Sequence, residues 1–289
     1  MTPPFVAVIT GASSGIGQAI ALEFARRDAS LIVHGRSNLA GLTQTVLQIR
    51  TIQSNRPNQP PAQLSRFENS SVMSIISDIE DRHSNVSLVE VAFQRFGYVD
   101  AWIHAAGADV LTGDARNLTF TEKLDRLWAT DVRGGMLLSR LVAAKMLSSE
   151  IPHEQQDAPM RIPSMVHIGW DQSEQGMEGD SGQYFSATKA AITAFSKSLA
   201  KSLAPHVRVN CIAPGWVKTQ WGQTTHPSWQ QRAIGESMLN RWGTPEDIAR
   251  VVAAVSFEDG AFINGQTIAV NGGWQSMSLS AVSETKLLD

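Results

Sequence analysis

Short, almost wholly apolar segments alternate with amphipathic ones along the 289-residue chain, and this rhythm limits its fold more than any other feature. The apolar runs are Phe5 to Ile9, Leu31 to Val33, Met73 to Ser77, Val99 to His104, Met165 to Ile168, Val207 to Ile212 and Thr267 to Val270. Helical patterns lie between them: Ile16 to Phe24, Leu39 to Ile49, Val86 to Phe96, Glu122 to Leu147, Gln183 to Leu203 and Pro245 to Val255. Strands that lack a polar alternation are buried on both faces, and the intervening helices supply the cover. With right-handed crossovers the pattern predicts an α/β, doubly wound parallel sheet of about seven strands with helices on both faces.

Two polar, proline-bearing stretches, Ile52 to Ser71 and Ser148 to Pro163, interrupt the rhythm. The alternation resumes after each, so both read as surface insertions near 52–71 and 148–163 within one domain spanning 1–275. Residues 276–289 carry no apolar period and read as a tail. With 43% hydrophobic and 18% charged residues, the chain is a globular protein and not a disordered or fibrous one. Against 24 Lys and Arg stand 27 Asp and Glu, which leaves no basic footprint for nucleic acid or an anionic membrane. No apolar run approaches the roughly 20 residues of a membrane helix. Cys211 is the single cysteine, so neither an internal disulfide nor a cysteine zinc site is expected. The first residues lack a basic segment followed by an apolar one, and the expected location is cytoplasmic.

The chemistry begins at Thr10-Gly11-Ala12-Ser13-Ser14-Gly15-Ile16-Gly17, where a strand ends and a helix begins. Glycines at such a junction permit a tight turn, close backbone approach to a pyrophosphate and close packing of helix on strand. The free N–H groups of the helix start then face the negative charge. A Rossmann-type dinucleotide site is the expectation, because the string sits in a strand–turn–helix context.

From this turn onward the chain resembles the short-chain dehydrogenase/reductase family, whose TGxxxGxG pattern the octapeptide matches in full. The likeness runs from Phe5 to Trp274. It takes in Asp78-Ile79 after the third strand, Ala105-Ala106-Gly107 after the fourth, and Asn210 to Thr219 after the sixth. Arg241 to Ala249 and Ile263 to Gly273 also match. The resemblance implies that Gly11, Ser13, Ser14, Gly15, Ile16 and Gly17 hold the pyrophosphate, and that Ala105, Ala106 and Gly107 stand beside it. It further implies that Asp78 and Ile79 hold the adenine, and that Pro214, Gly215, Val217 and Thr219 line the nicotinamide.

Charge separates the two nicotinamide cofactors. An NAD site places a carboxylate after the second strand, whereas a 2′-phosphate needs cationic donors. That stretch reads His34-Gly35-Arg36-Ser37-Asn38, with no acid and one guanidinium fit for bidentate phosphate binding. NADP(H) is therefore expected over NAD(H), with Arg36 and Ser37 as contacts. A solvated Arg36 at a strand end is the plainer alternative.

Hydride transfer to a carbonyl leaves an alkoxide that needs a proton. The resembled family draws it from a tyrosine whose phenol, ordinarily near a pKa of about 10, is made more acidic by a lysine four residues later. A serine and an asparagine complete the family set. Lys189 falls in the lysine's place, but the residue four before it is Phe185. Tyr184 is one position early, and five residues apart on a helix means a rotation of roughly 140°, away from the lysine's face. Trp170 aligns with the serine, within one residue, and Asp131 with the asparagine. Two readings stay open. In one, Lys189 acts with Asp171 as a substitute proton donor whose pKa is raised by desolvation, and with Asp131 as relay partner. In the other the chain binds NADP(H) without turnover in a structural or regulatory role, Asp171 is a helix or loop cap, and Asp131 pairs with Lys189 as a salt bridge.

The stretch from Gln220 to Met238 holds Trp221, His226 and Trp229, and the resemblance makes it a lid over the substrate, with Gly176 to Gly179 on the opposite wall. Aromatic content there suits an apolar or ring-bearing carbonyl or alcohol, though packing against the core explains it equally. Helices 122–147 and 183–203 are apolar on more than one face, and in the resembled family these two helices form dimers. A homodimer or homotetramer is expected.

Overall fold

The computed structural model describes residues 3–55, 71–151 and 161–274. Seven strands form one parallel sheet: β1 Val6–Thr10, β2 Ser30–Gly35, β3 Val72–Ile76, β4 Ala101–His104, β5 Ser164–Ile168, β6 Arg208–Pro214 and β7 Thr267–Val270. Their order across the sheet is β3-β2-β1-β4-β5-β6-β7. Every residue of β1, β2 and β6 is buried, as continuous apolar runs require of strands covered on both faces. One cover is made by α1 (Gly15–Arg26), α2 (Leu39–Ser54) and α9 (Pro245–Ser256), which pack Phe24, Leu42, Ile49, Ile248 and Val252 on the sheet. The other is made by α3 (Arg82–Phe96), α5 (Gly135–Ser148) and α6 (Gly179–Leu203), with Leu88, Val89, Leu138, Val142 and Leu199 in its core. The strand order turns at β1 and β4, and the crevice outside their C-terminal ends is where such sheets bind ligands.

Beyond α2, which runs to Ser54 past the expected Ile49, and α3, which starts at Arg82 before the expected Val86, two more elements depart from the sequence expectation. Instead of one helix over 122–147 there are α4 (Phe120–Leu127), a wider π-type turn over Trp128–Gly134, and α5. The extra residue lets Gly134 pass against the backbone after β3, where a Cβ would stand 2.8 Å from the Ile79 carbonyl oxygen. It also turns Asp131 inward, an effect typical of π-bulges at functional sites. The second departure is α6, which begins at Gly179, four residues before the expected Gln183. Most of both insertions and the tail fall outside the described residues.

Beneath the crevice, His104 of β4 and His167 of β5 stack at 4.6 Å, and each contacts the Ser139 hydroxyl, at 3.1 and 2.8 Å. His167 Nδ1 is also 3.0 Å from Ser196 Oγ. Burial pushes His167 down to about 3, helped by the Lys189 charge, and holds His104 well below the usual imidazole range. Both are neutral when folded but titrate near 6.5 once unfolded, so the unfolded chain takes up more protons below that pH. Their effect is to leave stability intact above pH 6.5 and to erode it as the pH falls toward the folded values, by about 1.4 kcal/mol per unit per histidine. Asp100 and Asp171, both raised to about 6 by burial, act with the opposite sign between about 4 and 6. His167→Gln isolates the histidine contribution. Urea midpoints from pH 7 to 4.5 should fall less steeply for the variant than for the wild type, and parallel lines would refute the assignment.

Candidate active site

The crevice is a cavity of about 700 Å³ running from the first glycine turn to the segment after β6. Its floor at one end is the turn between β1 and α1. Gly11 and Gly15 adopt φ of +67° and +55°, and Gly17 lies so close that a Cβ there would stand 2.2 Å from the Gly11 carbonyl oxygen. Behind the turn, the Thr10 hydroxyl accepts from the Ala105 and Ala106 N–H groups, both at 3.2 Å, and so fixes the end of β1 to the loop after β4. The first turn of α1, whose leading N–H groups have no partner within the helix, lies at the cavity end lined by Gly11, Ser13, Ser14, Gly15, Ile16 and Gly17.

Arg36, Ser37 and Asn38 line the same end, with Ile79 facing them. Asn38 caps α2 by accepting from Gly41 N at 3.0 Å, which sets the path of the chain past Arg36. The Arg36 guanidinium is 3.5 Å from Glu80, whose carboxylate also takes the Thr130 hydroxyl. An acid therefore faces Arg36 after all, brought from the loop after β3 and not from the stretch after β2. Asp78 does not line the cavity: its carboxylate accepts from Glu80 N at 2.9 Å and shapes that loop instead. His34 lines the wall, and burial lowers its pKa against the raising effect of its bond to the Ser77 carbonyl.

At the other end stands Lys189. Its ammonium is 2.9 Å from Asp131 Oδ2 and donates to the Ile168 carbonyl at 3.3 Å. Asp131 is 4% exposed and its other oxygen accepts from Ala108 N at 2.8 Å, so α6, the π-type turn and the loop after β4 meet at one ion pair. Ala105, Ala106, Gly107, Pro214, Gly215, Val217 and Thr219 complete this wall. Phe185 lines it as well, edge-on to Trp170 at 6.2 Å. Tyr184 does not: it is 2% exposed and its ring packs against Phe120 and Phe185.

Asp171, the expected proton donor, lies off the cavity wall on a single turn of tight helix. Asn271 donates to it at 2.9 Å, and its carboxylate sits against the Gly215 backbone. Desolvation does raise it to about 6, but the neighbours that modify the shift are Asn271, Gln172 and Glu236, not Lys189. Asp171 therefore stands just behind the Gly215 wall, held by Asn271 and not paired with Lys189.

Over the substrate end, α7 (Gln220–Thr224) and α8 (Pro227–Gly235) place Trp221 and Trp229 beside Trp216, with ring centroids 5.6 to 6.2 Å apart. The Trp216 indole donates to buried Glu236 at 2.7 Å, and Arg232 donates to the same carboxylate at 2.7 Å. Arg232 also reaches Glu178, the residue preceding α6 on the opposite wall. His226 caps α8 and takes no place in the cavity. The sequence reading missed Glu80, Glu236 and Arg232, which are recruited by tertiary contacts, and Ser181, which stands one helical turn before Phe185 and two before Lys189. Among the described residues, no helix is long and apolar enough to cross a membrane, and no group of three His, Cys, Asp or Glu is placed to hold a metal ion.

A strand–turn–helix phosphate cradle joined by one cavity to a lysine on α6 defines a nicotinamide-dependent oxidoreductase fold. The chain belongs to the short-chain dehydrogenase/reductase family: the sequence model described as enoyl-(acyl carrier protein) reductase matches residues 11–275. It is 25% identical over 273 residues to tropinone reductase-like 3 of Erythroxylum coca, covering 94% of this chain and 93% of the relative. It is 27% identical over 271 residues to a 3-oxoacyl-acyl-carrier-protein reductase of Thermotoga maritima, covering 93% and 96%. Among solved structures, a single-residue variant of actinorhodin polyketide ketoreductase with NADPH superposes with a TM-score of 0.74 at 22% identity, covering 94% of this chain and 98% of that one.

Proposed function

We propose that the protein is an NADP(H)-dependent oxidoreductase that reduces the carbonyl of an apolar, ring-bearing small molecule or oxidises the corresponding alcohol. One observation carries the reading: a single cavity joins the phosphate cradle and Arg36 at one end to Lys189, Asp131 and an aromatic lid at the other. The tight turn at Gly11 and Gly17, where a Cβ would collide with neighbouring backbone, supports a dinucleotide cradle. The cofactor, once bound, supplies the hydride. Gly11 to Gly17 hold its diphosphate, Arg36 and Ser37 its 2′-phosphate, Ile79 its adenine, and Pro214 to Thr219 its nicotinamide. Lys189 orients the nicotinamide ribose, and Asp131 keeps the ammonium in place. Trp170, Phe185, Trp216, Trp221 and Trp229 exclude water from the reacting carbonyl.

The first test is NADPH oxidation over a panel of aromatic aldehydes, ketones and quinones. Turnover with at least one ring-bearing acceptor is expected. A protein that binds NADPH and never oxidises it would instead be a cofactor-binding module, a reading favoured by the apolar ring of Phe185 one turn from Lys189. The nucleotide preference has its own test. A bidentate guanidinium–phosphate contact is worth about 1.5 to 3 kcal/mol, so Arg36→Ala should weaken NADPH binding roughly 10- to 100-fold while leaving NADH within about twofold. Equal losses would reject the 2′-phosphate contact and leave Arg36 to its pairing with Glu80. Trp128, Leu137 and Leu147 stand exposed on and before α5, which supports self-association as a homodimer or homotetramer.

A further inference from the structure

The wall that α6 gives to the cavity is a stripe of three side chains four residues apart: Ser181, Phe185 and Lys189. Such residues share one helix face. A helical side chain leans back toward the N-terminus, so the tip of a long one covers the turn before its own Cα. The ring of residue 185 therefore reaches over the turn that carries Ser181. A phenol at position 185 would set its oxygen in that region; Phe185 sets none there, and Ser181 brings a hydroxyl of its own.

That hydroxyl is backed by a second one. Ser181 Oγ lies 3.0 Å from the Tyr184 phenol oxygen. Tyr184 itself is buried behind the wall with Val110 and Leu127, so its contact with the cavity runs through the serine. A phenol is a far stronger acid than an aliphatic alcohol, which suits it to reload the serine. Both groups stand in the first two turns of a 25-residue helix, where the positive end of the helix dipole favours developing negative charge. Two other cavity groups are engaged elsewhere: Thr112 with Asp109, and Lys189 with Asp131 and the Ile168 carbonyl.

We propose that Ser181 delivers the proton that completes carbonyl reduction and that Tyr184, hydrogen-bonded behind it, is the positioning residue that reloads it. The assignment rests on the oxidoreductase reading above. Hydride arrival at the carbonyl carbon converts the C=O double bond into a C–O⁻ single bond. The Ser181 O–H bond breaks as the product O–H bond forms. The Ser181 oxygen then takes the phenolic proton of Tyr184 along their hydrogen bond. As the alcohol leaves, a proton from solvent returns to Tyr184 through Ser181. One hydride from the reduced nicotinamide and one proton from water are consumed for each alcohol formed.

The experiment uses the full chain, NADPH and whichever aromatic ketone or quinone the wild type turns over, with Ser181→Ala, Ser181→Thr and Tyr184→Phe variants. Nucleotide affinity is followed separately by NADPH fluorescence. General acid catalysis contributes about 10²- to 10⁴-fold, so Ser181→Ala should lower kcat at least about 100-fold with NADPH affinity unchanged. Ser181→Thr, which keeps the hydroxyl, should recover kcat to within about tenfold of the wild type. Tyr184→Phe should lower kcat and alter its solvent deuterium isotope effect. A Ser181→Ala enzyme within twofold of the wild type overturns the proposal, as does a threonine variant as poor as the alanine one. NADPH affinity falling in step with kcat overturns it too, since that marks structural damage. A wild type that binds NADPH but turns over no acceptor defeats the parent reading, a result visible before any variant is compared.

Discussion

A Gly17→Ala variant is expected to lose NADPH affinity by at least about 100-fold and to unfold at lower denaturant than the wild type. The added Cβ would stand 2.2 Å from the Gly11 carbonyl oxygen and 2.7 Å from its carbon. These are backbone atoms and cannot rotate aside as a side chain would. Gly11 has no room to retreat, because a Cβ on it would meet the Ala105 oxygen at 2.6 Å and the Ala106 backbone at 2.7 Å. The turn is wedged between α1 and the loop after β4, and forcing a methyl into it costs about 1 to 3 kcal/mol. The relaxation that accommodates the methyl moves the same N–H groups proposed to hold the diphosphate, and affinity should fall with them. Gly15 provides the contrast. Its Cβ would meet the Thr219 methyl at 3.6 Å, an ordinary contact, so Gly15→Ala bears only the cost of a left-handed backbone, about 1 to 2 kcal/mol. Denaturant unfolding and fluorescence titration of both variants test this ordering. A Gly17→Ala protein that binds NADPH normally would remove the phosphate cradle from the account.

The difference between these two glycines was not visible in the motif, which treats them alike. What the sequence made legible was whatever depends on local period. All seven strands were readable from their apolar runs, which are buried throughout in β1, β2 and β6 and half-exposed in β3 and β7 at the sheet edges, whereas the order across the sheet was not read. The direction of Tyr184 was readable too, since a five-residue spacing from Lys189 turns it off the shared face, and the ring is indeed buried among Val110, Leu127 and Phe120. Hidden were features decided by distant partners. The π-type turn that brings Asp131 inward shifts the helical period by a single residue, and both flanking segments keep ordinary helical composition. Glu80 meets Arg36 from a loop 44 residues away, and Asp171 is aimed by Asn271, 100 residues on. Side-chain direction at such positions is set by the folded neighbourhood, and charge counting along the chain does not reach it.

Lys189→Met is expected to reduce turnover at least about 100-fold, the scale of loss that a misplacement of about 1 Å produces at a reacting centre. The same variant should destabilise the fold by about 3 kcal/mol, because it strands a carboxylate that is 4% exposed with no cation beside it. Asp131→Asn does the converse. It leaves the amide oxygen able to accept from Ala108 N, so the change in stability reports the loss of charge and not the loss of that hydrogen bond. Combining the two variants removes both charges, and a neutral pair in this largely buried site no longer carries a desolvated ion. The double variant should therefore be more stable than the sum of the single losses predicts, with a coupling energy of about 1 to 3 kcal/mol by urea unfolding. Turnover should follow the opposite rule, with the double variant no better than Lys189→Met, because the function asked of the pair is an ammonium held in place and a neutral pair offers none. Strictly additive stabilities would mean that helix α6 alone positions Lys189, and the inward turn of Asp131 would then have no part in building the site.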